Sequence, residues 1–146
     1  MKKVYADENW CLGCGLCRIY CITAHSATKD IIKAYKKEDK KPVARVYVEE
    51  GGEVNFALQC RHCDDPACVK ACITGAMHKD PETGVVINDT DRCVGCWTCI
   101  LACPYGAIVR GEDGKRVAAK CDFCAELGEP ACVKHCPNNA LKYTEV

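Results

Sequence analysis

Material for an ordinary apolar core is scarce in this chain. Val, Leu, Ile and Phe together supply 29 of its 146 residues, with only 2 Phe, 2 Trp and 2 Met. Burial of so few large side chains falls short of the ordering entropy of the backbone, so something other than packed aliphatics must fill the centre. Net charge is lacking too, since 20 Lys and Arg stand against 20 Asp and Glu. Without a basic excess there is no footprint for nucleic acid. Long apolar runs are missing. Met1 to Glu8 turns polar at once, no stretch suits a signal peptide or membrane span, and there is no twin-arginine signal. Gly-x-Gly-x-x-Gly, Walker and nucleophile-elbow signatures are absent as well. These absences predict a cytoplasmic protein with no membrane span and no independent catalysis.

Cysteine is what the chain holds in excess, at 16 residues. That frequency admits a disulfide scaffold or a metal protein. Cytoplasmic thiols stay reduced, which argues against disulfides and for metal ligation. The cysteines form four groups of four with none left over. Cys11, Cys14, Cys17 and Cys21 make the first, and Cys60, Cys63, Cys68 and Cys72 the second. Cys93, Cys96, Cys99 and Cys103 make the third, and Cys121, Cys124, Cys132 and Cys136 the fourth. Groups one and three share the spacing C-x2-C-x2-C-x3-C, each with an aspartate four residues upstream, Asp7 and Asp89. Groups two and four share Pro-Ala-Cys-Val-Lys-x-Cys, at Pro66 to Cys72 and Pro130 to Cys136. The pattern reads as a two-group unit copied once, with pseudo-symmetry and a linear series of metal centres.

A zinc site takes two Cys-x-x-Cys knuckles, usually well apart. Three cysteines within seven residues, Cys11 to Cys17, and a fourth one helical turn on match the bacterial ferredoxin run instead. Pro104 and Pro137 follow the last cysteines of groups three and four, where groups one and two have Ile22 and Ile73. Gly13, Gly15 and Gly95 let the loops turn tightly and bring backbone N–H groups near cluster sulfides. Four [4Fe–4S] clusters, with the sixteen cysteines as iron ligands, are the expected cofactors. Zinc in the wider fourth group is the alternative. Full ligation by cysteine leaves no iron open to substrate. His62 and His135 sit beside cysteines but are not needed as ligands, so they are expected around the clusters or at the surface, while His25 and His78 carry no signal. Trp97 and Trp10 are expected as apolar lids over the third and first clusters.

The spacing predicts an α+β fold of short helices and short hairpins. A helical turn after each third cysteine should carry the fourth. Hairpins are expected at Val43 to Val48 with Val54 to Leu58, at Ala76 to Lys79 with Val85 to Asn88, and at Ala107 to Arg110 with Arg116 to Ala119. The last of these turns through Gly-Glu-Asp-Gly, and Ala140 to Tyr143 adds a final strand. Ser26 to Pro42 has no cysteine and six lysines, and reads as an exposed helix or loop. It is either a solvated insertion or a cationic docking surface for an acidic partner.

The order of the four groups, with the wider second and fourth spacings, resembles the four-cluster ferredoxin-like electron-transfer subunits. Members serve molybdenum or tungsten oxidoreductases, formate dehydrogenases, hydrogenases and CO dehydrogenases. The resemblance runs from Val4 to about Leu141, and Asp91 to Gly106 is most similar to the small soluble members associated with CO dehydrogenase. It implies two interleaved ferredoxin-like modules about a pseudo-two-fold. The inner module would span about 58–110 and the outer about 1–25 with 111–146, around a hairpin-bearing lysine-rich insertion at about 26–57. It also implies crossed ligand sets. Cluster one would use Cys11, Cys14, Cys17 and Cys136, and cluster two Cys60, Cys63, Cys68 and Cys103. Cluster three would use Cys93, Cys96, Cys99 and Cys72, and cluster four Cys121, Cys124, Cys132 and Cys21. The duplication read from the spacing suggests another pairing, group one with two and three with four.

The function expected is electron transfer, at low potential, as the iron–sulfur subunit of a larger oxidoreductase. The partners would be a catalytic redox subunit (a tungsten or molybdenum enzyme, a CO dehydrogenase or a hydrogenase) and a second protein such as a flavoprotein. A free diffusible polyferredoxin and a self-assembling, filament-forming conduit are the alternatives.

Overall fold

The computed structural model describes residues 1–111 and 116–145. Among them, eight short strands pair into four two-stranded antiparallel sheets. Three are local hairpins: β2 (Val46–Glu50) with β3 (Asn55–Gln59), β4 (Met77–Lys79) with β5 (Val86–Asn88), and β6 (Ile108–Arg110) with β7 (Ala118–Lys120). Residues 112–114 of the expected Gly-Glu-Asp-Gly turn lie outside the described residues. The fourth sheet joins β1 (Lys2–Ala6) to β8 (Leu141–Glu145), with Val4 opposite Tyr143.

Strand β1 was not expected. Of its five residues only Val4 is buried, so the alternation that marks a half-buried strand is too short to read. Its partner stands at the other end of the chain, and only tertiary folding brings the two together. The final strand forms, shifted to Leu141–Glu145.

Among the described residues are five short α-helices, all but the second at a cysteine motif: α1 (Leu16–Ala24), α2 (Ile31–Lys36), α3 (Ala67–Lys70), α4 (Thr98–Ala102) and α5 (Ala131–Lys134). The third cysteine of every group is the second residue of a helix: Cys17, Cys68, Cys99 and Cys132. All four are buried. The fourth cysteine lies within a helix only at Cys21, which corrects the expectation for the other groups. Cys103 caps α4, and Cys72 and Cys136 fall just past the ends of α3 and α5. Pro104 and Pro137 bar continued helix at the residues before them.

Helices α1 and α4 both start from a residue in the left-handed region, Gly15 at φ 73° and Trp97 at φ 63°. The two are equivalent in the repeat. Glycine adopts this conformation freely, whereas for a tryptophan it costs about 1–2 kcal/mol. Arg110 lies over the Trp97 ring at 4.7 Å, a contact that helps hold it there.

In the lysine-rich segment, Asp30 caps α2 by accepting from the Ile32 and Lys33 N–H groups at 3.0 and 2.9 Å. Glu38 closes the segment by accepting from the Thr28 N–H at 2.9 Å and its hydroxyl at 2.6 Å.

Two apolar clusters hold the fold together. One gathers both ends of the chain, with Val4, Val46, Phe123 and Leu141 around Cys17, Cys21 and Cys132. The other gathers Met77, Val86, Ile108 and Ala118 around Cys68 and Cys99. Cysteine is therefore part of each core. Among the described residues no helix is long and apolar enough to cross a membrane.

Candidate metal centres

All sixteen cysteines are free thiols. Two recesses each gather four of them. The first is lined by Cys11, Cys14, Cys17 and Cys136, with Trp10 at its edge and Pro137 beside it. The second is lined by Cys60, Cys63, Cys68 and Cys103, with Pro104 beside it. The enclosed space is about 20 Å³ in each.

The remaining cysteines are neighbours through their charges. Burial pushes the Cys99 thiol up, and the charges of Cys93, Cys96 and Cys72 push it further. Burial, then Cys121, Cys21, Cys124 and Cys17, do the same to Cys132. Cys136 therefore lines the recess of group one and Cys103 that of group two, while the charges of Cys72 and Cys21 are felt by thiols of groups three and four. The pairing of group one with two and three with four, read from the duplication, does not match these neighbourhoods.

The donor set fits iron–sulfur clusters. Burial raises the Cys17 and Cys68 thiols to about 11 and Cys121 to about 12, with neighbouring thiols adding to each rise. Four thiolates crowded into a poorly solvated recess repel one another until a cationic centre holds them. Hydrogen bonds already aim at several sulfurs. Arg45 N donates to Cys21 Sγ at 3.2 Å, Met77 N to Cys72 Sγ at 3.3 Å and His62 N to Cys60 Sγ at 3.4 Å. Such N–H groups stabilise the thiolate form and tune its electronics. Gly95 (φ 70°) is required where its loop meets the chain, because a Cβ there would stand 2.2 Å from Arg116 O.

Polar residues around the thiols were poorly legible in the sequence. His25 donates from Nδ1 to Cys21 O at 2.8 Å and from Nε2 to Asp122 at 3.1 Å. Burial opposes its charge, but the Asp122 carboxylate and the Cys21 thiol together outweigh this and lift His25 to about 9. Asp122 also accepts from Arg45 Nη1 at 2.6 Å and from Cys124 N at 3.0 Å. His25, Asp122 and Cys124 form a compact ligand-like trio. Its histidine and carboxylate are already committed to each other, and its thiol belongs to group four.

His62 is fully buried, which corrects the surface alternative offered for it. Burial first, then the Lys120 charge, drive it down to about 3. Its Nδ1 accepts from Val86 N at 3.1 Å, so the ring proton sits on Nε2, a buried donor with no protein partner. His135 stacks on Tyr20 at 3.6 Å. The only sequence hint to these contacts was adjacency to a cysteine, which His25 lacks altogether.

Free thiols drawn from distant parts of a chain into matched recesses, on short helices and hairpins, define an iron–sulfur protein of the ferredoxin-like class. Comparison with known proteins places it more narrowly. The chain belongs to the 4Fe-4S dicluster domain family, which matches residues 53–146. It is 37% identical to the B subunit of anaerobic dimethyl sulfoxide reductase from Escherichia coli (strain K12), over 95% of this chain and 71% of that protein. It is 34% identical to the electron transport protein HydN of the same organism, over 96% of this chain and 86% of that one. The fold also matches a component of the active site complex BamBC of benzoyl coenzyme A reductase with 1,5-dienoyl-CoA. That match has a TM-score of 0.54 and 24% identity, and covers 100% of this chain and 78% of the other. The family and the ferredoxin-like spacing of the sixteen cysteines are consistent with four [4Fe–4S] clusters.

Proposed function

We propose that this chain is the electron-transfer subunit of a larger oxidoreductase, with no catalysis of its own. The observation that carries the reading is the pair of recesses, each lined by four cysteines from two groups. The ligand sets are then Cys11, Cys14, Cys17 and Cys136; Cys60, Cys63, Cys68 and Cys103; Cys93, Cys96, Cys99 and Cys72; and Cys121, Cys124, Cys132 and Cys21. Each bound cluster supplies a site that takes up and gives back one electron. The chain's part is to hold these sites in series, bury them and set their potentials.

The order along the series follows from the thiols between groups. The Cys132 thiol feels Cys17, which ties group four to group one. The Cys121 thiol feels Cys60, which ties group four to group two. Exchange of Cys72 and Cys103 ties group two to group three. On this reading groups one and three are the ends. The outer module, about 1–25 with 111–146, holds groups one and four; the inner, about 58–110 and completed by β7, holds groups two and three. Residues 26–57 form the lysine-rich insertion and the β2–β3 hairpin.

Large apolar side chains stand exposed at both ends. Trp10 and Leu12 flank group one, and Ile73, Val94 and Leu101 flank group three. Exposed apolar surface beside a redox centre suits docked proteins. One end would meet a catalytic subunit, of the molybdenum, tungsten, CO dehydrogenase or hydrogenase type, and the other an electron donor or acceptor such as a flavoprotein. The free thiols suit a reducing, cytoplasmic setting. Anaerobic affinity purification from the native cell tests the reading. Recovery with a stoichiometric catalytic subunit is the expected result; recovery alone, with equal reduction by unrelated donors, would make the chain a diffusible carrier.

A further inference from the structure

Lys120 ends β7 and is 4% exposed, the one lysine or arginine among the buried described residues. Its ammonium donates to Val86 O and, at 3.0 Å, to Cys121 O, and lies 3.5 Å from His62 Nδ1. No acidic side chain forms an ion pair with it among the described residues. Lysine is almost never buried so deeply unless paired, because an ammonium held only by neutral groups is costly.

A source of negative charge lies on either side. His62 and Val86, both touching Lys120, line the recess of Cys60, Cys63, Cys68 and Cys103. Cys121, next in sequence, belongs to group four. Burial pushes the Cys68 and Cys121 thiols up, and the Lys120 charge acts against that on both. Lys120 thus stands at the junction of the inner and outer modules.

We propose that the buried ammonium of Lys120 is the internal counter-ion of the two middle clusters, those of Cys60 and Cys121, and raises their midpoint potentials. The inference rests on the ligand sets and series given under the proposed function. A cysteine-ligated [4Fe–4S] cluster is anionic, and taking up an electron from a docked donor makes it more so. A fixed positive charge in a poorly solvated site favours the more negative, reduced form. The two end clusters have no comparable buried cation among the described residues.

Anaerobic redox titration of the full, cluster-loaded chain, followed by electron paramagnetic resonance, tests this. Iron and spin counts on the unaltered protein come first; fewer than four clusters would overturn the ligand reading itself, independently of Lys120. Lys120→Gln keeps a hydrogen-bond donor and removes the charge. The expected result is a tenfold fall in the reduced-to-oxidised ratio of two of the four clusters at fixed potential, about 59 mV for a one-electron couple. Lys120→Arg keeps the charge and should leave all four near their original values. Unmoved potentials in the Gln variant, or four equal shifts, would overturn the proposal. Iron loading by the Arg variant but not the Gln variant would uphold it, since the Arg variant keeps the positive charge that the Gln variant lacks. Failure of both to load would make Lys120 a packing element and overturn it.

Discussion

The His62 imidazole lies against the Phe123 ring, with centroids 3.9 Å apart and planes tilted by 32°. His62 comes from the loop between Cys60 and Cys63, and Phe123 from the loop between Cys121 and Cys124. The contact therefore joins the loops of the second and fourth cysteine groups. Phe123 also meets Tyr143 of β8 at 5.4 Å, so one ring links both loops to the sheet that closes the chain. Phe123→Ala should destabilise the loaded protein by about 3–5 kcal/mol. Anaerobic guanidinium unfolding, followed by the visible absorbance of the clusters, measures it. An unchanged midpoint would mean that the ring contributes little to the junction.

The proposed crossed ligation makes a double-mutant prediction. Cys136→Ser and Cys11→Ser should damage the same cluster, so the double variant should lose no more iron than either single one. Cys136→Ser with Cys121→Ser should lose iron from two clusters. Iron and sulfide analysis of the purified variants decides the point. Additive loss in the first pair would assign Cys136 elsewhere.

Gly95→Ala is expected to be severe although the change is one methyl group. The added Cβ meets Arg116 O at 2.2 Å, and φ 70° is unfavourable for alanine. Strain of at least about 1–2 kcal/mol follows from the backbone alone. The third cluster should be lost preferentially, visible as one missing signal in the reduced electron paramagnetic resonance spectrum. Gly52→Ala, with open space around it and a similar φ of 79°, should show the backbone strain without the clash.

Asp122→Asn should loosen the surroundings of the fourth group. The carboxylate accepts from Arg45 Nη1, His25 and the Cys124 N–H, and the buried Arg45 Nε has no hydrogen-bond partner among the described residues. Asp122 is partly exposed, so the cost should be modest, about 1–2 kcal/mol. The rate of iron release to a chelator should rise at one cluster, while the other three keep their rates.

Removal of iron should unfold the chain. Each apolar cluster has cysteines at its centre, and crowded thiols alone do not hold together. Stripping the clusters under argon should abolish most of the far-ultraviolet circular dichroism, and reconstitution with iron and sulfide should restore it. Retention of native-like spectra without metal would show that the aliphatic residues suffice.

Much of the site was legible without coordinates because iron ligation imposes its own spacing. Three thiolates on a seven-residue loop leave few other chemistries, and the second residue of a helix recurs under every third cysteine. Hairpins between groups were legible from alternating apolar residues and turn glycines. Strand β1 was not, since one buried valine gives no period. The roles of His25, Asp122 and Lys120 were not legible either, because their partners come from segments far away in sequence.

By itself the sequence pointed to four iron–sulfur clusters, because cysteine number and loop spacing are local properties of the chain. The spacing alone left two ways of pairing the groups open; the tertiary structure placed Cys136 in the recess of group one and Cys103 in that of group two, and buried a lysine between groups two and four. Those outcomes depend on how short helices exit and on which ends of the chain pair, and a chain with so few aliphatic residues settles them through long-range contacts.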